Sequence, residues 1–557
     1  MRSKLHELLD EALEKCFQKE TLKRCPVPPY VIEVPANAGF GHFATNLPML
    51  LSSSQRRPPR QIAAAILDQL PEDGIIEKRE VAGPGFINFV ISRGEWYDFL
   101  RSIVAAGPDY GRSDLGRGKR LLVEFVSANP TGPLHLGHGR GAAVGDTLCR
   151  ILSFCGSEVE REFYINDAGQ QIRLLGESIY SRWKQSVDPA APFPGNGYHG
   201  EYVLELARQI SNEQDLSSLD AEAAVALCSR IGKEKMLQEI RSDLEDFRVH
   251  FDHWYTESDL YASGLLDRAL GELREKGMVY EEDGAWWIKT TDHGDDKDRV
   301  IRKKDGNYTY FATDISYHLE KWSRGYTGAI NIWGADHHGY IGRVKAALGI
   351  NGVEETWLSV LLIQLVKLWK GGQEVKMSKR AGQYVTLKEL VEEVGVDAVR
   401  FVFLTKSHDS TLDFNVDLVK KQDSDNPVYY VQYAHARICS VFRKAQEESV
   451  SLGEGDTPDF SRLVMEEELA LIRSMAEFPP LLEDVFKTLE PHRLTYYLTE
   501  LASQFHKYFN LGTKNPGHRI VNTDRELSRA RLFLARGLRI VIENGLGLLG
   551  ITAPEKM

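Results

Sequence analysis

The spacing of apolar residues changes several times along the chain and predicts successive folding units. Leucines recur at helical spacing in the opening segment, MRSKLHELLDEALEKCF, and the same period returns in RQIAAAILDQL (60–70). GPGFINFVIS (83–92) is typical of a β-strand. Residues 1–108 are therefore predicted to form a small α+β domain. The glycine-rich, charged segment 107–120 is interpreted as a linker.

From residue 119 the pattern becomes that of a parallel sheet. KRLLVEFVS (119–127) and EVEREFYI (158–165) are typical of strands, and the segment between them contains a loop and a helix. Strand, helix and strand in so short a stretch form a βαβ unit, which implies parallel strands. A largely helical insertion follows, at about 168–280, interrupted by a loop at 188–202. Strand-like runs then return, in GAWWIKT (284–290), YTYFATDIS (308–316), GAINIWGAD (328–336) and VLLIQLVKLW (360–369).

After about residue 405 the apolar period is helical almost to the end of the chain. Residues 406–557 are therefore predicted to form an all-α helical bundle. The region between, 115–405, holds the predicted parallel sheet, split by its helical insertion. The expected fold class is α/β, with the α+β domain before the sheet and the bundle after it.

Composition narrows the class of protein. Of the 557 residues, 42% are hydrophobic and 27% charged, a globular mix that excludes wholesale disorder and collagen-like repeats. The apolar runs are too short to span a bilayer and the first residues do not resemble a secretory signal, so we expect a cytoplasmic protein without a membrane partner. A net charge of −12 argues against sequence-blind polyanion binding but leaves room for a local basic patch. The six cysteines form no C-x-x-C pair, so neither a disulfide framework nor a zinc ribbon is expected.

Two histidines, His135 and His138, lie on the loop that follows the first sheet strand and opens a helix of small residues. A helix N-terminus attracts phosphate, and the small residues of its first turns would let a nucleotide approach the backbone. They are Gly139, Gly141, Ala142, Ala143 and Gly145. The alternative is a chance match in a loop. A metal site is not indicated, because no third ligand lies at a usual spacing.

A second cluster, K-M-S-K-R at 376–380, lies between glycines. Mobile cations that close over phosphates suit a leaving pyrophosphate. The alternative is an exposed basic loop. The P-loop pattern is absent, so phosphate binding must rest on these other groups.

Taken together, the two motifs resemble the HIGH and KMSKS motifs of class I aminoacyl-tRNA synthetases. VEFVSANPTGPLHLGH (123–138), YTYFATDISYH (308–318) and NPVYYVQYAHARI (426–438) look like arginyl-tRNA synthetase. Segments 39–51 and 529–557 resemble that family's N-terminal tRNA-contacting domain and its helical anticodon-binding domain. The resemblance implies a Rossmann-like catalytic domain over 115–405, flanked by these domains over 1–108 and 406–557. It also implies arginyl-tRNA aminoacylation, with ATP, L-arginine and tRNA(Arg) as partners and Mg²⁺ as cofactor.

The resemblance also implies roles for individual residues. The catalytic and ATP-binding residues would be Pro130, His135, Gly137, His138, Lys376, Met377, Ser378 and Lys379. The arginine-binding residues would be Glu124, Ser127, Asn129, His138, Tyr310, Asp314 and Asp336. The tRNA-binding residues would be Phe43, Asn46, Tyr429, Tyr433, Arg525 and Arg529, although the arginines also fit a solvated helix face. Asp336 is included because Ala335 stands where eukaryotic relatives have a glutamine.

Physical chemistry supports an acidic site for arginine. A guanidinium is planar and permanently charged, and a carboxylate fork binds it in bidentate fashion. Asp314 follows an aromatic, apolar run, although an Asp at a strand end is also a common cap or surface partner. Glu124 lies inside a strand, where an acid needs an Arg, a Lys or the substrate as partner.

Two alternatives remain open at this point. One is another class I synthetase, which the acidic pocket disfavours because an apolar amino acid would leave it unpaired. The other is a catalytically silent RNA-binding paralogue, which the intact histidines and lysines disfavour. We expect a monomer without an editing domain, in which arginine activation requires bound tRNA.

Overall fold

The computed structural model describes residues 1–35, 37–72, 74–167, 169–375, 384–453 and 455–557. The chain forms two compact units. The first comprises residues 1–110, 440–478 and 504–541, and the second comprises 111–439, 479–503 and 542–557. Among the described residues, no helix is both long and apolar enough to cross a bilayer.

The strands are β1 (Ile32–Glu33), β2 (Phe43–Thr45), β3 (Ile76–Ala82), β4 (Phe86–Ile91), β5 (Arg120–Glu124), β6 (Glu158–Ile165), β7 (His253–Thr256), β8 (Val279–Glu282), β9 (Ala285–Ile288), β10 (Arg299–Arg302), β11 (Gly328–Gly334), β12 (Leu358–Ile363), β13 (Val366–Lys370), β14 (Gln373–Val375) and β15 (Leu412–Asn415). The α-helices are α1 (Arg2–Gln18), α2 (Leu47–Gln55), α3 (Pro59–Gln69), α4 (Arg93–Ala106), α5 (Leu136–Phe154), α6 (Gln170–Val187), α7 (Glu201–Glu213), α8 (Ala221–Asp246), α9 (Glu257–Ala262), α10 (Leu265–Glu275), α11 (Tyr310–Ser323), α12 (Ile341–Ile350), α13 (Leu387–Val394), α14 (Val396–Phe403), α15 (Val416–Val419), α16 (Pro427–Glu447), α17 (Glu466–Ala476), α18 (Phe478–Thr488), α19 (His492–Lys514) and α20 (Arg525–Leu548).

The first unit begins with a four-stranded antiparallel sheet in the order β1-β2-β4-β3. Helix α1 packs on α3, and it buries the apolar face that its leucine spacing predicts. Helix α4 packs on α17, where Gly537 of α20 lies close to Leu100. The predicted α+β character of the N-terminal region is confirmed.

The second unit is built on a five-stranded parallel sheet in the order β12-β11-β5-β6-β7. The predicted strands at 119–127, 158–165 and 328–336 are β5, β6 and β11. Because all five strands are parallel, their carboxyl ends meet along one edge of the sheet, where ligands bind in folds of this kind. The edge lies where Glu124 ends β5 and Gly334 ends β11.

Three sequence predictions of local structure are wrong. Segment 308–316, expected to be a strand, forms the cap and first turns of α11, because the Thr309 side chain accepts a hydrogen bond from the N–H of Ala312. The predicted helical insertion contains strand β7, which pairs with β6. The predicted all-α region begins with β15, which pairs in parallel with β13. Both missed strands have only four residues, too few to show a period.

Helix α5 is fixed firmly against this sheet. A Cβ on Gly145 would approach the Phe125 ring to 2.3 Å, so glycine here permits close packing of α5 on the sheet. Fully buried Arg140 donates to the carbonyls of Gln364, Ser407 and Ser410 at 2.7–2.9 Å. The expectation that a nucleotide approaches the small residues of α5 is wrong for Gly139 and Gly145, where a Cβ would meet protein side chains, whereas a Cβ on Gly141 would meet nothing within 4 Å.

Candidate active site

His135, the last residue of the β5–α5 loop, and His138, in the first turn of α5, together form the N-terminal cap of that helix. Nδ1 of His135 accepts from the N–H of Gly137 at 3.1 Å and of His138 at 3.3 Å. The N–H of His135 donates to Nδ1 of His138 at 3.3 Å, and the two rings stack with centroids 3.6 Å apart. Because both Nδ1 atoms accept, a neutral ring carries its proton on Nε2. The cap therefore orients both imidazoles as Nε2–H donors at a helix N-terminus.

The segment after the lysine motif lies against this histidine loop. Thr386 forms an antiparallel bridge with His135, and the N–H of Leu387 donates to the carbonyl of Leu134 at 2.8 Å. Thr386 also caps α13 through a reciprocal pair of bonds with Glu389. The predicted ATP-binding residues Lys376, Met377, Ser378 and Lys379 lie outside the described residues.

Asp314, the predicted partner of a guanidinium, lies one turn into α11 and is half-buried. Burial raises the pKa of its carboxyl to about 7, while a hydrogen bond from the Tyr340 hydroxyl lowers that pKa and the nearby charges of Glu124 and Glu257 raise it. Tyr310 lies four residues earlier on the same helix and is 67% exposed. Three carboxyl groups, those of Asp314, Glu124 and Glu257, therefore lie close enough for their charges to interact.

Glu124 is buried and already has a cationic partner in the protein. The Lys321 ammonium donates to its carboxylate and also to Oδ1 of Asn331 at 3.1 Å. The hydroxyl of Ser127 donates to the same carboxylate at 2.8 Å. The sequence prediction that Glu124 needs a partner is confirmed, and its charge is balanced within the protein.

The chain leaves β5 through a turn with unusual backbone angles. Val126 and Ser127 have φ values of +67° and +39°. A β-branched residue rarely adopts positive φ, and such strain tends to occur at functional sites. Beyond the turn, Asn129 is exposed and donates to Gln171 at 2.8 Å, and Pro130 is buried.

Asp336 lies just after β11, at the carboxyl end of the strand that pairs with β5. Its side chain is 85% exposed, and its Oδ2 lies 3.7 Å from Nε2 of His337. The sequence prediction that Asp336 contacts arginine remains a prediction. Its exposure makes it a weaker candidate than half-buried Asp314.

The predicted tRNA-binding residues differ in exposure. In the first unit, Phe43 is 2% exposed and stacks on Trp96, which argues against the predicted contact with RNA. Asn46 is partly exposed, Arg525 is exposed, and Arg529 forms a 2.9 Å ion pair with Asp456.

In the second unit, Tyr429 and Tyr433 are partly exposed on α16 and stack with centroids 5.7 Å apart. Arg437 lies 4.5 Å from the Tyr433 ring. A paired aromatic surface beside an arginine suits stacking on unpaired bases.

Three residues of the site were missed by the sequence analysis. They are Lys321 and Tyr340, described above, and Glu257, which is buried at the start of α9. Burial raises the pKa of Glu257 to about 7, and the charge of Asp167 adds to that rise. Lys321 lies seven residues after Asp314, two helical turns along α11, so recognising the helix would have indicated it.

Replacing Lys321 by methionine should leave Glu124 buried without its cation. We expect the free energy of unfolding to fall by about 3–5 kcal/mol, the usual cost of breaking a buried ion pair. Urea denaturation followed by circular dichroism measures this change. The double variant Glu124→Gln/Lys321→Met should recover most of the loss, and a single-variant loss below about 1 kcal/mol would contradict the pairing.

Known protein families and curated proteins match this chain along its length. Three family models match: the arginyl tRNA synthetase N terminal domain over residues 3–91, the catalytic domain of tRNA synthetases class I (R) over 100–412, and the DALR anticodon binding domain over 431–557. An arginine–tRNA ligase of Syntrophotalea carbinolica is 46% identical over 561 residues, and one of Desulfosudis oleivorans is 47% identical over 563 residues. Each alignment covers 100% of both chains.

Solved structures show the same fold. The Thermus thermophilus arginyl-tRNA synthetase matches with a TM-score of 0.79 at 24% identity, covering 100% of both chains. The Plasmodium falciparum arginyl-tRNA synthetase matches with a TM-score of 0.74 at 18% identity, over 100% of this chain and 99% of that one. At these identities the likeness establishes the architecture.

Proposed function

Because this chain belongs to the arginyl-tRNA synthetase family, we propose that it joins L-arginine to tRNA(Arg). ATP and arginine would give arginyl-adenylate and pyrophosphate, and the arginyl group would then pass to the 3′-terminal adenosine of the tRNA. The observation that carries the proposal is the identity of 46–47% to arginine–tRNA ligases over the full length.

In this proposal the α5 cap binds ATP. Nε2–H groups of His135 and His138 donate to phosphate oxygens, most strongly as charge develops on the α-phosphate during displacement. Pro130 and Gly137 line the nucleotide, and Lys376 and Lys379, with Met377 and Ser378, close over the leaving pyrophosphate. Mg²⁺ would be the cofactor and would add charge stabilisation at the phosphates. The protein supplies positioning and charge stabilisation, so no covalent enzyme intermediate is needed.

The amino acid would lie along the carboxyl edge of the parallel sheet. Asp314 pairs with the guanidinium, with Tyr310 beside it, while Ser127 and Asn129 hold the α-amino end and His138 lies near the carboxylate. Glu124, held by Lys321, acts through Ser127, whose hydroxyl it binds. A site built around a carboxylate rejects apolar amino acids by leaving that carboxylate unpaired, so editing is not required.

The decisive experiment is amino-acid-dependent ATP–pyrophosphate exchange, measured for all amino acids with and without tRNA. We expect exchange with arginine alone, and only when tRNA is present. Exchange with another amino acid would indicate a different class I synthetase. No exchange under any condition would indicate the silent RNA-binding paralogue, and exchange with arginine in the absence of tRNA would refute the tRNA requirement.

Binding of tRNA is proposed to use Tyr429, Tyr433, Arg525 and Arg529, with Asn46 in the N-terminal region. Deleting the chain from about residue 420 is a poor test, because the deletion removes the Leu549 carbonyl that buried Arg400 binds at 2.9 Å. The single substitution Arg525→Ala is a more specific test. It should weaken tRNA binding and reduce by about one the slope of the logarithm of the tRNA association constant against the logarithm of the salt concentration. Arg208→Ala, which removes an exposed arginine from α7, is the matched control. An unchanged slope for Arg525→Ala would remove this residue from the tRNA interface.

Two further expectations, a monomeric state and a cytoplasmic location, remain predictions. Light scattering on the purified protein tests the first. Fractionation of the source cells tests the second.

A further inference from the structure

A cleft of about 380 Å³ lies in the second unit between α7, α8 and the start of α13. None of the residues assigned above to ATP, arginine or tRNA lines it. A smaller cleft of about 240 Å³ shares two of its residues, Asp243 and Lys388. The combined space is of the size that small-molecule sites occupy.

Asp243 of α8 is the unusual residue of this cleft. It is 5% exposed, and its buried Oδ2 has no hydrogen-bond partner within the part of the chain that the structure describes. Burial raises the pKa of its carboxyl to about 6, and the charge of Glu239 adds to that rise. A buried carboxylate without a hydrogen-bond partner is costly in its ionised form unless a cation pairs with it.

The charges around Asp243 favour a cation from outside. Acidic side chains line both clefts: Glu205, Glu239, Asp246 and Glu392. Of the two lysines, Lys235 pairs with Glu213 at 3.0 Å. The charge of Lys388 lowers the pKa of Asp243, yet no ion pair within 4.0 Å joins the two among the described residues. The clefts are thus net acidic, and their most buried carboxylate is unpaired.

The walls indicate an organic cation rather than a metal ion. Aliphatic side chains line both clefts, including Leu206 and Met236 in the larger and Leu387 and Val391 in the smaller. The one compact group of metal-ligating side chains among the described residues is Glu160, Glu162 and His253, which does not include Asp243. An ammonium on a short aliphatic chain would satisfy both the carboxylate and the apolar walls.

We propose that this cleft is a binding site for a small aliphatic amine, whose ammonium group pairs with Asp243. A second ammonium, as in a diamine, would lie among the remaining acids of the two clefts. The occupied site would adjoin the histidine loop from two sides. Tyr202, which lines the cleft, donates to the carbonyl of Thr131 at 2.7 Å, and Lys388 lies two residues after the Thr386 bridge to His135.

The test uses 1,4-diaminobutane as the probe and the full-length protein, with binding measured by isothermal titration calorimetry. The wild type should bind one equivalent saturably, whereas 1,4-butanediol, which lacks the charge, should not bind. Asp243→Asn should weaken binding at least about tenfold, because it removes the charge but keeps the shape. Lys388→Met should strengthen binding, since it removes a competing cation. Glu281→Gln, which removes an exposed acid on β8, should leave binding unchanged.

Several results would overturn the proposal. They are absence of saturable binding to the wild type, equal binding of the diol, wild-type affinity in Asp243→Asn, or an equal loss in Glu281→Gln. Circular dichroism checks that Asp243→Asn is folded. If it is not, Lys388→Met takes its place, and an affinity no higher than that of the wild type in that variant overturns the proposal. Pyrophosphate exchange plays no part in this readout, so the result is independent of the proposed aminoacylation.

Discussion

Replacing Asp314 by alanine should lower kcat/KM for arginine about 30- to 4,000-fold. The variant leaves the guanidinium desolvated without its carboxylate, and truncating one side of a buried charge pair costs about 2–5 kcal/mol. The affinities for ATP and tRNA should hardly change, because neither contacts this carboxylate in the proposed site. The measurement is steady-state aminoacylation in the presence of tRNA, since the expected tRNA requirement would otherwise mask the effect.

Two controls distinguish the effect of the Asp314 charge on arginine binding from the effect of its side-chain shape. Asp314→Asn should show a milder loss, and the alanine variant should discriminate against neutral citrulline much less than the wild type does.

Because the pKa of Asp314 is raised to about 7, kcat/KM for arginine should rise with pH through about 7 as the carboxyl ionises. That rise should disappear in Asp314→Asn. Loss of ATP binding or solubility in Asp314→Ala would make the residue structural, and buried Glu257 would become the leading candidate partner, since Glu124 is paired with Lys321.

Replacing His138 by alanine should slow adenylate formation about 10²–10³-fold, the usual effect of removing one oriented donor to a transition state. Single-turnover formation of arginyl-adenylate with bound tRNA measures it. The same change also removes the acceptor of the His135 N–H. We therefore expect an additional stability loss of about 0.5–2 kcal/mol, typical of a helix cap.

Two amide variants separate these roles of His138. In His138→Asn the side-chain oxygen can replace Nδ1 as the cap acceptor, but nothing replaces Nε2–H. In His138→Gln the amide N–H lies near the Nε2 position. We expect Asn to restore stability without activity, and Gln to restore part of the activity. An alanine variant within a few-fold of the wild-type rate would show that His138 is not a phosphate donor.

Long apolar segments were predictable from the sequence, and short or irregular ones were not. Strands β5 and β11 each present a run of apolar residues, and β6 ends in the aromatic and β-branched residues Phe163, Tyr164 and Ile165. The helix between β5 and β6 is long enough to show its period. The prediction of a strand at 308–316 was wrong because Tyr, Phe and Thr have a local preference for strands. Burial of Phe311, Ala312 and Ile315 on one side of α11 overrides that preference.

In the candidate site, too, some features were predictable from the sequence and others were not. The positions of His135 and His138 at a helix start follow from the strand, loop and helix order alone. The partners of the acids do not, because Lys321 reaches Glu124 only when α11 packs on β5. The strained turn at Val126 and the bridge from Thr386 to His135 are equally invisible in the sequence, since both depend on tertiary contacts.

The order of the parallel sheet has a consequence for how the chain is made. Strand β5 pairs on one side with β6, which follows it closely, and on the other with β11, about 200 residues later. At about 5–20 residues per second, a ribosome needs about 10–40 s to synthesise that interval. During this time the backbone N–H and C=O groups on one edge of β5 are without their native neighbour, and open strand edges are templates for aggregation. The interval in which this strand edge is open therefore falls during translation, and slower synthesis between β6 and β11 prolongs it.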